Sequence, residues 1–248
     1  PRQGSQLDQT LNHYSFQHPR SLQGTLRICI RYALLVSAFI VALVVGCYTH
    51  YHKIVQNEYF GYPEEWFPSV SATTGDRYPA RALFQILIAL TAGPRFALVL
   101  LWYVCSNQSS KTLLSIGLIR NVACGGWVFI TSTDDHRIHD IAMIIYVLCT
   151  LPWQLGVLYT SPKNHISLKR RKYLTTLFFG TLPPMIYYFV QHKIHRIPGA
   201  YTTYAFFEWS LIIYDIAFDA VTSLDFEKFD VKVTRRKTDE WQKGKEIV

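Results

Sequence analysis

Two short polar stretches concentrate the titratable chemistry of this chain. TSTDDHRIHD, from Thr131 to Asp140, and QHKIHRIPG, from Gln191 to Gly199, carry His136, His139, His192 and His195 together with Asp134, Asp135 and Asp140. Imidazoles beside carboxylates move protons, because the ring titrates near neutrality and a carboxylate fixes its orientation. His136 and His139 stand three residues apart, a spacing that one helical turn places on one face, and Asp135 or Asp140 would orient a ring there. The chemistry expected is acid–base catalysis with His136 as general base. Ordinary polar connectors account for the same residues equally well. The HxxH-like pairs lie in separate stretches, which is not a specific metal-ligand spacing, so no metal is expected. No GxSxG or comparable nucleophile element occurs, and lone serines such as Ser69 and Ser71 have no recognisable activating context.

These groups must be positioned by apolar elements. The chain has 248 residues, half of them hydrophobic. A hydrocarbon core of ~30 Å needs about 20 consecutive apolar helical residues, and six runs of roughly that length emerge. They cover Arg27 to Thr49, Ala82 to Cys105, Thr112 to Ile130, His139 to Tyr159, Tyr173 to Val190 and Ala200 to Leu224. The fold expected is all-α, a polytopic membrane protein with a six-transmembrane-helix bundle and a long luminal loop, His50 to Arg81, between helices 1 and 2. Its Pro and Gly argue against a long helix, and its aromatics suit a membrane interface. No cleavable signal peptide is recognisable, so the first span is expected to stay in the membrane. The division expected is a cytoplasmic N-terminal segment (1–26), a membrane domain (27–224) and a basic cytoplasmic tail (225–248).

A net charge of +8 would suit nucleic acid, but the cations are sided. With spans assigned as above, 17 of the 25 Lys and Arg fall on one side, including Lys169, Arg170, Arg171, Lys172 and the tail. The positive-inside rule then puts both termini and the 160–172 loop in the cytoplasm, and nucleic acid is not an expected partner. The sequon at Asn107 would face the cytoplasm and stay unglycosylated. Six of the nine histidines fall on the opposite, luminal side.

Charges at membrane depth need partners. Glu208, Asp215 and Asp219 form one acidic stripe on the sixth span. Counting ~1.5 Å per residue, Arg95, Arg120 and Asp215 share a depth, which predicts a buried structural ionic cluster of Arg95, Arg120, Asp215 and Asp219 joining helices two, three and six. Glu208 lies only ~12 Å below the luminal end with no cation at its level, so it is a site candidate that would bind something positive or hydrogen-bonding. Pro94, Pro152, Pro183 and Pro184 fall inside spans, where they bend helices or simply pack. No inverted repeat suggests a transporter.

The stretches EEWFPSVSATTGDRYPAR, FQILIALTAGPRF, RNVACGGWVFITSTDDHRIHD, FFGTLPPMIYYFVQH and AYTTYAFFEWSLIIYDIAFDA resemble a known family. The chain is similar, from about Leu34 to Phe226, to the N-terminal membrane region of the fungal calcofluor-white-hypersensitivity proteins, and more distantly to the animal post-GPI-attachment-to-proteins factor two family. The resemblance implies a six-helix protein of the ER or Golgi that acts on the lipid of GPI-anchored proteins, by ceramide exchange or by reacylation. In the fungal relatives the chain continues into a second membrane region and a phosphatase-like domain. This sequence is therefore expected to be either a fragment or the partner of a separately encoded phosphatase-like catalytic part. Motif positions carried over are Asp76, Arg77, Arg95, Arg120, Asp134, Asp135, His136 and Glu208.

Two expectations result. In the first, the chain is an acyl- or lipid-transferring enzyme with His136, Asp135, Asp140 and Glu208 as catalytic groups. Asp76, Arg77, Arg81, Asp134, His139 and His192 would bind substrate, the arginines gripping headgroup phosphate. In the second, it is a non-catalytic GPI-recognition or lipid-presenting subunit. No cofactor is identified, and a lipid or acyl donor serves as co-substrate. The partners expected are membrane lipids and GPI-anchored proteins.

Overall fold

Inside hydrocarbon a backbone must satisfy its own hydrogen bonds, and apolar runs of this length do so as helices. The computed structural model describes residues 22–105, 110–160 and 165–225, and it is all-helical. Six long helices, α1 (Leu22–Ile54), α3 (Ala80–Cys105), α4 (Lys111–Phe129), α5 (His136–Thr160), α6 (His165–Lys193) and α7 (Ala200–Ala220), are joined by the short α2 (Val70–Gly75) and followed by α8 (Thr222–Asp225). Segments of α1, α3, α4 and α5 are long and apolar enough to cross a membrane. Helices α6 and α7 are long enough but more polar, because α6 opens on Lys169–Lys172 and α7 carries Glu208, Asp215 and Asp219. The N-terminal segment before Leu22, the sequon at Asn107 and the tail after Asp225 lie outside the described residues.

Successive long helices run in opposite directions. The connectors 55–79, 130–135 and 194–199 collect at one end, where Arg81 meets Asp134 and Lys193 meets Glu58, while Trp102 meets Thr160 at the far end. The main packed pairs are α6 with α7, α4 with α5, and α1 with α3. One core cluster, around Phe39, Phe84, Ile88 and Tyr146, binds α1, α3, α4 and α5. A second, nearer the far end, is built from Val99, Trp102, Trp153, Val157 and Phe218. At Gly117 a Cβ would stand 2.6 Å from the Trp153 ring, so the missing side chain is what lets α4 and α5 close on that indole. The outer surface is apolar: Val104, Leu148 and Val122 are 76%, 68% and 65% exposed. Such a girdle is unfavourable in water and suits lipid.

Several boundaries differ from those read in the sequence. Helix α1 continues past Thr49 to Ile54, with non-helical geometry at His50, whose ring sits 2.9 Å from the Tyr78 carbonyl. The connector is thereby shortened to 55–79, and it contains α2. Most of the expected 160–172 loop is the first turns of α6, and Arg171 within it is fully buried rather than solvated. It pairs with Asp225, donates to Thr222 at 3.0 Å and lies over the Trp102 and Phe218 rings. Asp225, expected to open the solvated tail, is therefore part of the bundle.

Candidate functional site at the loop-bearing end

The connector 55–79 is held on α7 by two buried carboxyls. Helix α7 starts after Gly199, which sits at φ 77 and has no side chain to cap the helix. Glu65 supplies the missing acceptor: Oε1 receives the amides of Gly199 at 3.0 Å and Tyr201 at 3.3 Å, and Oε2 that of Thr202 at 2.7 Å. A carboxylate here satisfies three helix-terminal donors and matches the helix dipole. The second is Glu208, whose Oε2 accepts the Val70 amide at 2.7 Å. Tyr201 donates to the Ile54 carbonyl and accepts from the Ser69 amide, while Trp209 donates to the Pro68 carbonyl. Ser69 caps α2 through the Ala72 amide. The partner found for Glu208 is thus the α2 backbone, with the Tyr204 and Ser71 hydroxyls also close enough to hydrogen-bond to it.

Beside α2 lies the start of α5. His139 is buried, its Nδ1 2.9 Å from the Ile130 carbonyl and its Nε2 3.4 Å from Ser71 Oγ. Asp76, at the end of α2, accepts from Ser132 at 3.4 Å. Burial pushes the Asp76 carboxyl above the usual range, against the pull of Ser132, Arg77, His139 and Arg81. Asp134 accepts from the Thr131 hydroxyl and amide and from Arg81 at 3.2 Å, and the Thr131 bonds, first of these causes, hold its carboxyl low.

The expected catalytic residues are not brought together. His136 is exposed and pairs with Asp140, at 3.4 Å, on the surface. Asp135 accepts the Ile138 amide as a helix-start acceptor. Spacing alone put His136 and His139 on one face, but the helix rotates ~60° between them, enough to turn one outward and one inward. Arg77 is exposed. His192 lies among the Phe189, Tyr201 and Tyr204 rings, and its buried Nε2 has no hydrogen-bond partner among the described residues. Burial, reinforced by Lys193, pulls its pKa down to about 4. Among the described residues no three His, Cys, Asp or Glu side chains form a metal-holding group.

The intramembrane charges form a separate unit. Arg120 reaches Asp215 at 2.5 Å and Asp219 at 3.4 Å, with Thr150 and Tyr146 as further acceptors, and Tyr146 also donates to Asp215. The cluster therefore draws on the fourth expected span, whereas Arg95 makes no ion pair with either aspartate and donates to Cys124 Sγ at 2.9 Å. Arg95, Arg120, Asn121, Trp153 and Asp219 line a cavity of ≈30 Å³. That volume is room for a water or two.

Sequence reasoning missed Glu65, Ser71, Tyr146, Thr150 and the Arg171–Asp225 pair. Glu65 carried no local signal, because the helix start it caps lies 134 residues further along the chain. Ser71 carried no local signal.

Residues 25–229 match the family model described as Frag1/DRAM/Sfk1/Cwh43P N-terminal domain. The chain is similar to protein cwh43 of Schizosaccharomyces pombe, 49% identical over 82% of this chain and 21% of that protein. It is also similar to a post-GPI attachment to proteins factor 2-like protein of Drosophila melanogaster, 26% identical over 64% of this chain and 56% of that one. A third relative is named acyltransferase PGAP2, from Xenopus tropicalis, 22% identical over 65% of this chain and 71% of its own length. The chain thus spans about a fifth of the cwh43 protein and about half of the Drosophila factor 2-like one. No solved structure matches.

Proposed function

Because the chain belongs to the Frag1/DRAM/Sfk1/Cwh43P N-terminal domain family, we propose that it serves in remodelling the lipid of GPI-anchored proteins, at the loop-bearing membrane face. One observation carries this reading beyond the relatives' names: proton-transfer and phosphate-binding groups, His139, Asp76, Arg81 and Asp134, gather at that end around a helix docked by Glu208. Arginine donors there suit a headgroup phosphate, and the histidines suit proton exchange at a lipid hydroxyl or ester. The remodelling is reacylation or ceramide exchange.

All six long helices cross the membrane in this reading. The 21 residues of α7 rise ~32 Å, the thickness of the hydrocarbon, and Glu208 and Asp215 are buried inside the bundle rather than facing lipid. The cation-rich far end faces the cytoplasm and the histidine-rich end the lumen of the ER or Golgi. An N-glycosylation sequon engineered into the exposed stretch around Tyr59 should acquire glycan; its absence in a secretory-pathway expression host would reverse the orientation.

Purified chain in nanodiscs, given a lyso-GPI and a labelled acyl or ceramide donor, should transfer label to the anchor. A second reading takes support from the share of the cwh43 protein that the chain spans, about a fifth: the chain recognises the anchor and a phosphatase-like part carries out the exchange. It expects lyso-GPI binding without turnover. Neither binding nor turnover would overturn both.

A further inference from the structure

We propose that Ser71 is a nucleophile activated by His139, and that it carries an acyl group as a serine ester at the loop-bearing face. The inference rests on the lipid-remodelling reading for its substrates, and on geometry for its chemistry. The His139 tautomer is fixed by its neighbours. The Ile130 carbonyl, 2.9 Å from Nδ1, can only accept, so in the neutral ring Nδ1 holds the proton and Nε2 is a bare acceptor. The group facing Nε2 is the Ser71 hydroxyl, at 3.4 Å; the same hydroxyl is within reach of the Glu208 carboxylate, so its one proton is shared between these two acceptors, and of these two side-chain types imidazole is the one that titrates near neutrality. That distance is within the looser range of catalytic pairs without substrate. The arrangement is a nucleophile, a base and an orienting acceptor in series, and the Asp76 carboxyl lies near enough to offset the charge of an imidazolium.

The placement of Ser71 is specified from outside α2. Glu208 holds the Val70 amide, Ser69 caps the turn, and His139 arrives from α5. Glu208 is thus a positioning residue here. Ser71 itself is half-buried, which leaves it reachable, whereas His139 is 5% exposed and shielded from competing water. His136, one turn away, is open to solvent and faces no hydroxyl nucleophile among the described residues.

The step balances. Ser71 Oγ attacks the carbonyl of an acyl ester or thioester, the Oγ–C bond forms, and the Oγ proton passes to His139 Nε2. The bond from carbonyl carbon to the departing oxygen or sulfur breaks, and His139 returns the proton to that leaving group. In the second half a hydroxyl of the lyso-lipid attacks the serine ester, its proton moving to His139 and then to the released Ser71 Oγ. No oxidant, reductant or metal is required.

The test treats the whole chain in nanodiscs with a long-chain alkyl fluorophosphonate and maps the adduct by peptide mass spectrometry. Wild-type chain should be labelled on Ser71, Ser71→Ala should lose that adduct, His139→Gln should label at least about a hundredfold more slowly, and Ser115→Ala, on the exposed face of α4, should label normally. Adduct mapping on wild type needs no variant to fold. Separate incubations with labelled phosphatidylcholine and with acyl-coenzyme A then show which donor leaves its acyl group on Ser71. No adduct on Ser71 overturns the proposal, as does lyso-GPI turnover by Ser71→Ala at the wild-type rate, which would leave the remodelling reading intact. Labelling and acylation of Ser71 without transfer to lyso-GPI would instead uphold the nucleophile and remove the GPI substrate.

Discussion

Replacing Glu65 with alanine removes the only side-chain acceptor that the first amides of α7 have among the described residues. Gly199, Tyr201 and Thr202 each donate to this carboxylate over 2.7–3.3 Å, and the carboxyl is fully buried. A hydrogen bond to a charged group contributes about 1.5–3 kcal/mol net, and a buried donor left without a partner costs about 1–3 kcal/mol. Three such bonds sharing two oxygens are not additive, and water entering the vacated space recovers part of the loss, so the expected cost is about 4 kcal/mol. At 1.4 kcal/mol per decade this corresponds to an opening equilibrium about a thousandfold more favourable. Hydrogen exchange of the purified chain, followed at the Tyr201 and Thr202 amides, reads it directly: both should exchange about a thousandfold faster in Glu65→Ala, with amides in the middle of α4 little changed. Glu65→Gln keeps one acceptor oxygen and should fall between. If Glu65→Ala alters exchange at these amides by less than tenfold, the carboxylate is not what closes the helix start.

Removing one member of the buried Arg120–Asp215 pair, as Arg120→Met or Asp215→Leu, should cost about 3–5 kcal/mol, while the double variant should recover most of it; thermal melts in detergent compare the three. Gly117→Val should destabilise by about 1–3 kcal/mol, because its side chain meets the Trp153 ring and Val99, and Trp153→Leu in the same chain should relieve part of that loss. His192 has a pKa lowered to about 4 in the fold, so its contribution is fully present above the unfolded value near 6.5 and is lost as pH falls towards 4. The melting temperature of wild type should therefore drop more between pH 7 and 4 than that of His192→Phe; parallel pH curves would refute this.

What could be read in advance depended on whether the partner was near in sequence. The first four spans announce themselves by length and apolarity alone, since any helix of that kind is driven to the same environment. Depth counting set Arg120 level with Asp215, and they lie 2.5 Å apart, because rise per residue is a constant of the helix. The same counting could not give azimuth. It grouped Arg95 with the aspartates although its guanidinium turns to Cys124, and it paired His136 with His139 although one faces out and the other in. Arg171 looked like one more cation in a basic run, since nothing local discloses that Asp225 and Thr222 return to meet it. Ser71 was set aside for want of an activating neighbour, and its imidazole lies 68 residues away in the chain.

The capping of α7 also constrains how the protein is made. Glu65 precedes the amides it serves by up to 137 residues, and at roughly 5–20 residues per second the ribosome needs on the order of ten seconds to supply them. Throughout that interval the connector has no α7 to rest on, and Val70 has no Glu208 to receive its amide. The loop-bearing surface is consequently closed only once α7 has been made, so a nascent chain halted before α7 presents an unclosed loop to the quality-control machinery.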